Sequence, residues 1–341
     1  MPPALAKTEG EHRIADKAPC VTEVRPLRLH DLPFAYRMVG QGVSFDAQLS
    51  LTVGEDSLRP ALLTSSGRMQ AYVLRQSGGS ALGQLHFLAG EQLARLAYIA
   101  PALDEGHNGE LLLCLLEGLA IMAGQRGVVT ILAEVDDTAP EFEVLRRASF
   151  VTYAYQELWV RPPAPAEPSS YSLRAANSGE DHGLLGLYGS LVPGLIKHVE
   201  PPPTGADVCF VLDGPRGAAG IVIAYQGGQA TLMEAYLAPE AGLSPRAFLS
   251  AALAKVQANK RTVYFRLRDY MGCTPSALAD SGFRHLASQA ALFRHTAARV
   301  THPSYQLKEK VDGGVPLPTS IVDVGDELST NFPSGRRVET G

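Results

Sequence analysis

A chain of 341 residues with 45% hydrophobic and 19% charged residues has an ordinary globular composition, and its length favours two cores of about 140 to 150 residues over one. The formal net charge of -5, with no clustered Lys and Arg, excludes the electrostatic footprint of a nucleic-acid binder. No run reaches the roughly 18 to 20 apolar residues of a membrane span, and the first 20 residues carry no apolar signal core, so a cytoplasmic chain without membrane or nucleic-acid partners is expected. Cys20, Cys114, Cys209 and Cys273 lie far apart with no CxxC pair, which reads as four reduced thiols.

After a flexible leader at 1–21, residues 24–27 read as a strand and Asp31 as the cap of a helix. Alternating patterns at 70–75, 82–88 and 93–99 predict three antiparallel strands, with turn residues at 77–79 and 89–91. A broadly apolar helix at 110–123 ends at Gly124 and Gly127. A strand at 128–135, a helix at 139–148 and a strand at 150–160 complete a first domain over 22–161. Residues 162–170, rich in Pro and Ser, predict a semi-rigid linker.

The same order repeats over a second domain, 171–300. It runs through a strand at 173–176, a helix at 180–192, an extended proline run at 200–203 and strands at 208–212, 220–226 and 229–237. A helix capped by Ser244-Pro245, a strand at 262–267, a helix at 275–281 and a strand at 285–297 follow. Gly227-Gly228 predicts a two-residue hairpin loop with both φ positive. Residues 301–341 read as a disordered tail.

The repeat is also written in residues. Ala97-Tyr98-Ile99-Ala100-Pro101 returns as Ala235-Tyr236-Leu237-Ala238-Pro239, and Arg147-Ala148-Ser149-Phe150 is matched by Asp280-Ser281-Gly282-Phe283, each pair in the same slot. This order, with a small helix leading into the closing strand, resembles the GNAT family of N-acetyltransferases in tandem form. The resemblance implies a mixed α/β fold of two GNAT-like domains, acetyl-CoA or a similar acyl-CoA as donor, and a small-molecule or peptide amine as acceptor that attacks the thioester directly.

It also implies that Ile99-Ala100-Pro101 leads into a loop whose N–H groups cradle the donor's pyrophosphate at a helix start. In this chain that is Asp104, Gly106, His107, Asn108, Gly109 and Glu110, with a backbone donor near Ile99 for the carbonyl oxygen. The loop departs from the family's Gln/Arg-x-x-Gly-x-Gly/Ala: Asp104 stands at the basic or amide position, His107 at the first Gly, and Gly109 alone is in register. The second copy (239–246) lacks Gly-x-Gly, and Pro245 supplies no N–H.

The positions of the family's tyrosine acid hold Leu145 and Leu278. Glu134, then Asp136 and Glu234, are the candidates for a base, set against a plainer role as solvated carboxylates at strand ends. Tyr98 and Tyr236 are candidates to line the cleft where two strands splay, or to pack. Arg261, Arg266 and Arg268 can receive an anionic group or simply line an exposed strand face. The histidine spacing predicts no metal site, and no Gly-x-Ser-x-Gly elbow is present. The rival to an acyltransferase is a non-catalytic tandem acting as a ligand-binding or scaffold protein.

Overall fold

The computed structural model describes residues 24–54, 68–88, 92–103, 108–176, 181–200, 202, 206–215, 217–258 and 260–296. The first half contributes β1 (Arg25–Pro26), α1 (Leu32–Met38), β2 (Val43–Ser44), α2 (Ala47–Val53), β3 (Met69–Gln76), β4 (Gly79–Phe87) and β5 (Leu93–Ala100). It continues through α3 (Gly109–Gln125), β6 (Thr130–Asp136), α4 (Pro140–Arg147) and β7 (Val151–Arg161). The second half holds β8 (Arg174–Ala175), α5 (Asp181–Leu191), α6 (Gly194–Val199), β9 (Val208–Gly214), β10 (Gly217–Gln226) and β11 (Ala230–Leu237). It ends with α7 (Pro245–Lys255), β12 (Thr262–Leu267), α8 (Pro275–Asp280) and β13 (Arg284–His295).

All these strands join one 13-stranded sheet in the order β1-β3-β4-β5-β6-β13-β7-β12-β11-β10-β9-β8, with β2 added on β5. Either end reads inward through the same sequence of repeat elements, so the order is a palindrome of the duplication. The two last strands are exchanged: β13 pairs with β6, β7 pairs with β12, and β7 and β13 pair with each other. A bare sheet edge is a row of unpaired N–H and C=O groups. Each half covers its β6 or β12 edge with the other half's last strand.

The core follows the same plan. Leu112, Leu115 and Leu119 of α3 pack on β3 to β6 together with Ala290 and Leu292 of β13. Phe248, Leu249 and Leu253 of α7 pack on β11 and β12. A third cluster crosses the junction, joining Leu93 and Leu132 to Tyr188, Ile221, Tyr236 and Met271. Each such side chain, fully buried, contributes about 1.5 to 3 kcal/mol.

Several local expectations are corrected. Gly227 and Gly228 are not at positive φ; Gly227 is needed for space, since a Cβ there would lie 2.1 Å from the Thr52 carbonyl oxygen at the end of α2. Asp31 does not cap α1 with its side chain; its carboxylate accepts from the Arg28 N–H, Arg25 and Arg75. The 162–170 stretch packs rather than hanging as a spacer: Arg161 donates to the carbonyls of Ala164 and Pro165, and Ser169 to that of Ala247. Ser244 caps α7 as predicted, accepting from the Ala247 N–H. Cys114 is disulfide-bonded rather than a free thiol, Cys273 is a buried free thiol, and Cys20, the leader, the 89–91 turn and the 301–341 tail lie outside the described residues.

Candidate functional site

β5 and β6 run parallel only from Leu93 opposite Thr130 to Arg95 opposite Leu132, and then part. The chain fills the gap itself. β2 places Val43 opposite Ile99 and Ser44 opposite Tyr98, Phe45 N–H donates to the Ala97 carbonyl at 3.1 Å, and Glu134 N–H donates to the Phe45 carbonyl at 2.8 Å. Hydrogen-bonded pairs alternate along an antiparallel ladder, so the Phe45/Ala97 bond puts Val43 and Ile99 in the bonded class. A Cβ on Gly42 would lie 2.1 Å from the Ile99 carbonyl oxygen, so glycine is what allows this approach. The backbone donor expected near Ile99 therefore faces Val43.

Behind this gap the halves meet through buried charge. Arg266, 4% exposed, lies between Glu134, 3% exposed, and Glu234. Its Nη2 is 3.1 Å from Glu134 Oε2 and its Nη1 2.9 Å from Glu234 Oε1. Glu134 also accepts from the Ala47 N–H at 3.0 Å, and Glu234 from Tyr236 Oη at 3.0 Å. Arg268 grips Glu200 through two bonds of 2.7 and 2.9 Å and also donates to Gln156. Burial works against the Glu200 charge, but Arg268 outweighs it and holds the carboxyl down at about 2. Burial likewise opposes the Arg266 charge, and Glu134 and Glu234 push its pKa above the usual arginine value.

Beside this network is a cavity of about 260 Å³ between the halves. Its wall includes Asp46 at the head of α2, His86 of β4, Arg95 of β5, Glu200, Glu234 and Arg266, with Tyr188, Tyr225 and Tyr236. His86 Nδ1 is 3.5 Å from Asp46 Oδ2. Burial disfavours the Asp46 charge, and His86 and Arg95 overcome this to hold its pKa below the ordinary value.

Two halves of matching order, each with a parallel strand pair that parts at its far end and a long helix behind it, decide the architecture. The fold is one mixed α/β order of elements laid down twice in a single sheet. The chain is similar in structure to a GCN5-related N-acetyltransferase from Sphaerobacter thermophilus, with a TM-score of 0.49, 11% identity, and coverage of 80% of this chain and 95% of that one. It is similar also to a tandem GNAT protein from the clavulanic acid biosynthesis pathway (TM-score 0.45, 14% identity, 80% and 98% coverage). A GNAT-family acetyltransferase from Colwellia psychrerythraea gives 0.40, 11%, 80% and 99%. No protein-family model matches the sequence, and no curated protein matches it. Among the described residues no helix is long and apolar enough to cross a membrane.

The anticipated residues that the structure describes lie at the end of β5, at the start of α3 and in the buried network. Asp104, Gly106 and His107 lie outside the described residues. Asn108 precedes α3 without a side-chain cap bond; its Nδ2 donates to the Ala102 carbonyl at 2.8 Å. Gly109 begins α3, and a Cβ there would lie 3.9 Å from Arg147 Nη1. Glu110 forms an exposed ion pair with Arg147. The Tyr98 hydroxyl donates to the Met38 carbonyl and accepts from the Gly40 N–H, both at 3.3 Å, which ties β5 to the end of α1.

Glu134 and Glu234 are not solvated strand-end groups but members of the buried network, whereas Asp136 is exposed and bonds Thr138. Arg266 and Arg268 face the chain's own carboxylates rather than solvent, and Arg261 donates elsewhere, to the Gly227 carbonyl at 3.2 Å. Sequence reasoning missed Arg95, Asp46, His86 and Glu200. For Arg95 the available signal was a single charge inside an apolar strand, as also in TVYFRL, since a buried charge requires a partner.

Proposed function

We propose that the chain is an acyl-CoA-binding N-acyltransferase of the GNAT type, with the donor's diphosphate at the start of α3. The observation that carries this reading is the juxtaposition of Arg147 and Gly109 at the start of a 17-residue helix. The first N–H groups of such a helix lack intrahelical partners and favour an anion. The Arg147–Glu110 pair is exposed and so is cheaply exchanged for phosphate.

On this reading the diphosphate is met by Gly109 and Arg147, and the thioester arm enters beside β5 only when residues 43–46 leave it. Phe45, 1% exposed, would lose about 2 to 3 kcal/mol of burial, and two ladder bonds are worth about 1 kcal/mol each. That total of about 4 to 5 kcal/mol weakens donor binding by about a thousandfold. The filled gap is also the observation that favours the second reading, a non-catalytic tandem.

Calorimetric titration with acetyl-CoA separates the two. The first reading expects weak binding that Gly109→Pro abolishes and Gly42→Ala, by loosening β2, tightens about tenfold. Absence of binding even in Gly42→Ala favours the non-catalytic protein.

A further inference from the structure

We infer that the cavity between the halves is a binding site for a small aromatic amino acid or a close zwitterionic relative, its carboxylate held by Arg95. The argument starts from donors. Three guanidiniums lie at the junction, and two are engaged: Arg266 by Glu134 and Glu234, Arg268 by Glu200 and Gln156. Arg95 is only 17% exposed, yet among the described residues its guanidinium donates no hydrogen bond, and its nearest acid oxygen, Glu134 Oε1, is 3.7 Å away. A guanidinium carries five N–H donors in a planar fork that matches a carboxylate. Arg95 lines the cavity.

Charge then selects the rest of the ligand. The junction holds four carboxylates, Asp46, Glu134, Glu200 and Glu234, against three guanidiniums, with His86 beside Asp46. A bare anion would add to an acidic surplus; a zwitterion brings its own ammonium, which Asp46 and Glu234 on the cavity wall can accept. Size and surface complete the description. About 260 Å³ is below the roughly 300 to 1,000 Å³ of drug-sized sites, and Tyr188 and Tyr236, edge to face at 5.8 Å, with Tyr225 offer rings for an aromatic side chain to pack against. This site needs no acyl-CoA and stands whether or not the donor reading holds.

The test is titration of the whole chain, without acyl-CoA, with L-phenylalanine, phenylacetate and phenethylamine, which carry both charges, the carboxylate alone and the ammonium alone. L-Phenylalanine should bind, and each truncated probe should bind at least about tenfold more weakly. Arg95→Gln should abolish binding, and Arg95→Lys, keeping charge but not the fork, should fall between it and the parent chain. Should Arg95→Gln fail to fold, Tyr225→Ala carries the test: it should weaken L-phenylalanine binding. No binding at about 10 mM, equal binding of either truncated probe, or unchanged affinity in Arg95→Gln or Tyr225→Ala would overturn the proposal.

Discussion

The ends of β5 and β11 carry the same five-residue pattern and are closed by different pieces of chain. In the first half, Val43 to Phe45 arrive from upstream of the meander and pair with Ala97 to Ile99. In the second, the turn at Asp269–Met271 and the residues after it arrive from downstream of β12: Met271 is fully buried, and Cys273 Sγ reaches the Ala235 carbonyl at 3.8 Å. A glycine serves both closures, since a Cβ on Gly42 or Gly272 would lie 2.1 Å from the carbonyl oxygen of Ile99 or of Leu237, which are equivalent positions of the repeat. The motif thus marks where a strand ends and leaves open what meets it, so a site cannot be transferred on the motif alone.

The largest expected effect comes from the residue both halves share. Arg266→Met should leave two buried carboxylates without their cation and cost about 3 to 5 kcal/mol in urea unfolding. Adding Glu134→Gln and Glu234→Gln should recover part of that loss; no recovery would mean the network acts through packing instead.

Next, the two glycines should differ in degree. Both alanine variants crowd a carbonyl, but Gly272 also sits at φ +74, where a side chain is strained, so Gly272→Ala should cost about 1 to 3 kcal/mol more than Gly42→Ala. Equal losses would remove the backbone part of the argument.

A smaller effect, confined to acid, concerns Glu200. Its folded pKa of about 2 is below the ordinary glutamate value of 4.5, so its contribution is fully present above about pH 4.5 and is lost as pH falls toward 2. Urea unfolding at a series of pH values should show stability falling across that window, and Glu200→Gln should flatten the fall.

Much of the fold was legible because period and punctuation agreed. The meander strands alternate, α3 is apolar and followed by Gly127, and Ser244-Pro245 marks the start of α7. β2, α2 and α6 were missed because a two-residue strand and helices of six and seven residues are too short to carry a period. The strand exchange was illegible for another reason: β7 and β13 read as strands wherever they pair, and nothing local says with which neighbour. The site was least legible. Glu134 was picked out, but its partners Arg266 and Ala47 lie 132 and 87 residues away in sequence, and only the shared sheet brings them together.

That sheet is tested most directly by expressing residues 1–161 and 162–341 apart and together. Alone, the first fragment lacks β13 for its β6 edge and β12 for its β7 edge, so neither fragment should unfold cooperatively by itself, and co-expressed fragments should purify as a one-to-one complex. Two independently folded, monomeric fragments with no affinity for each other would contradict the exchange of strands and the junction built on it.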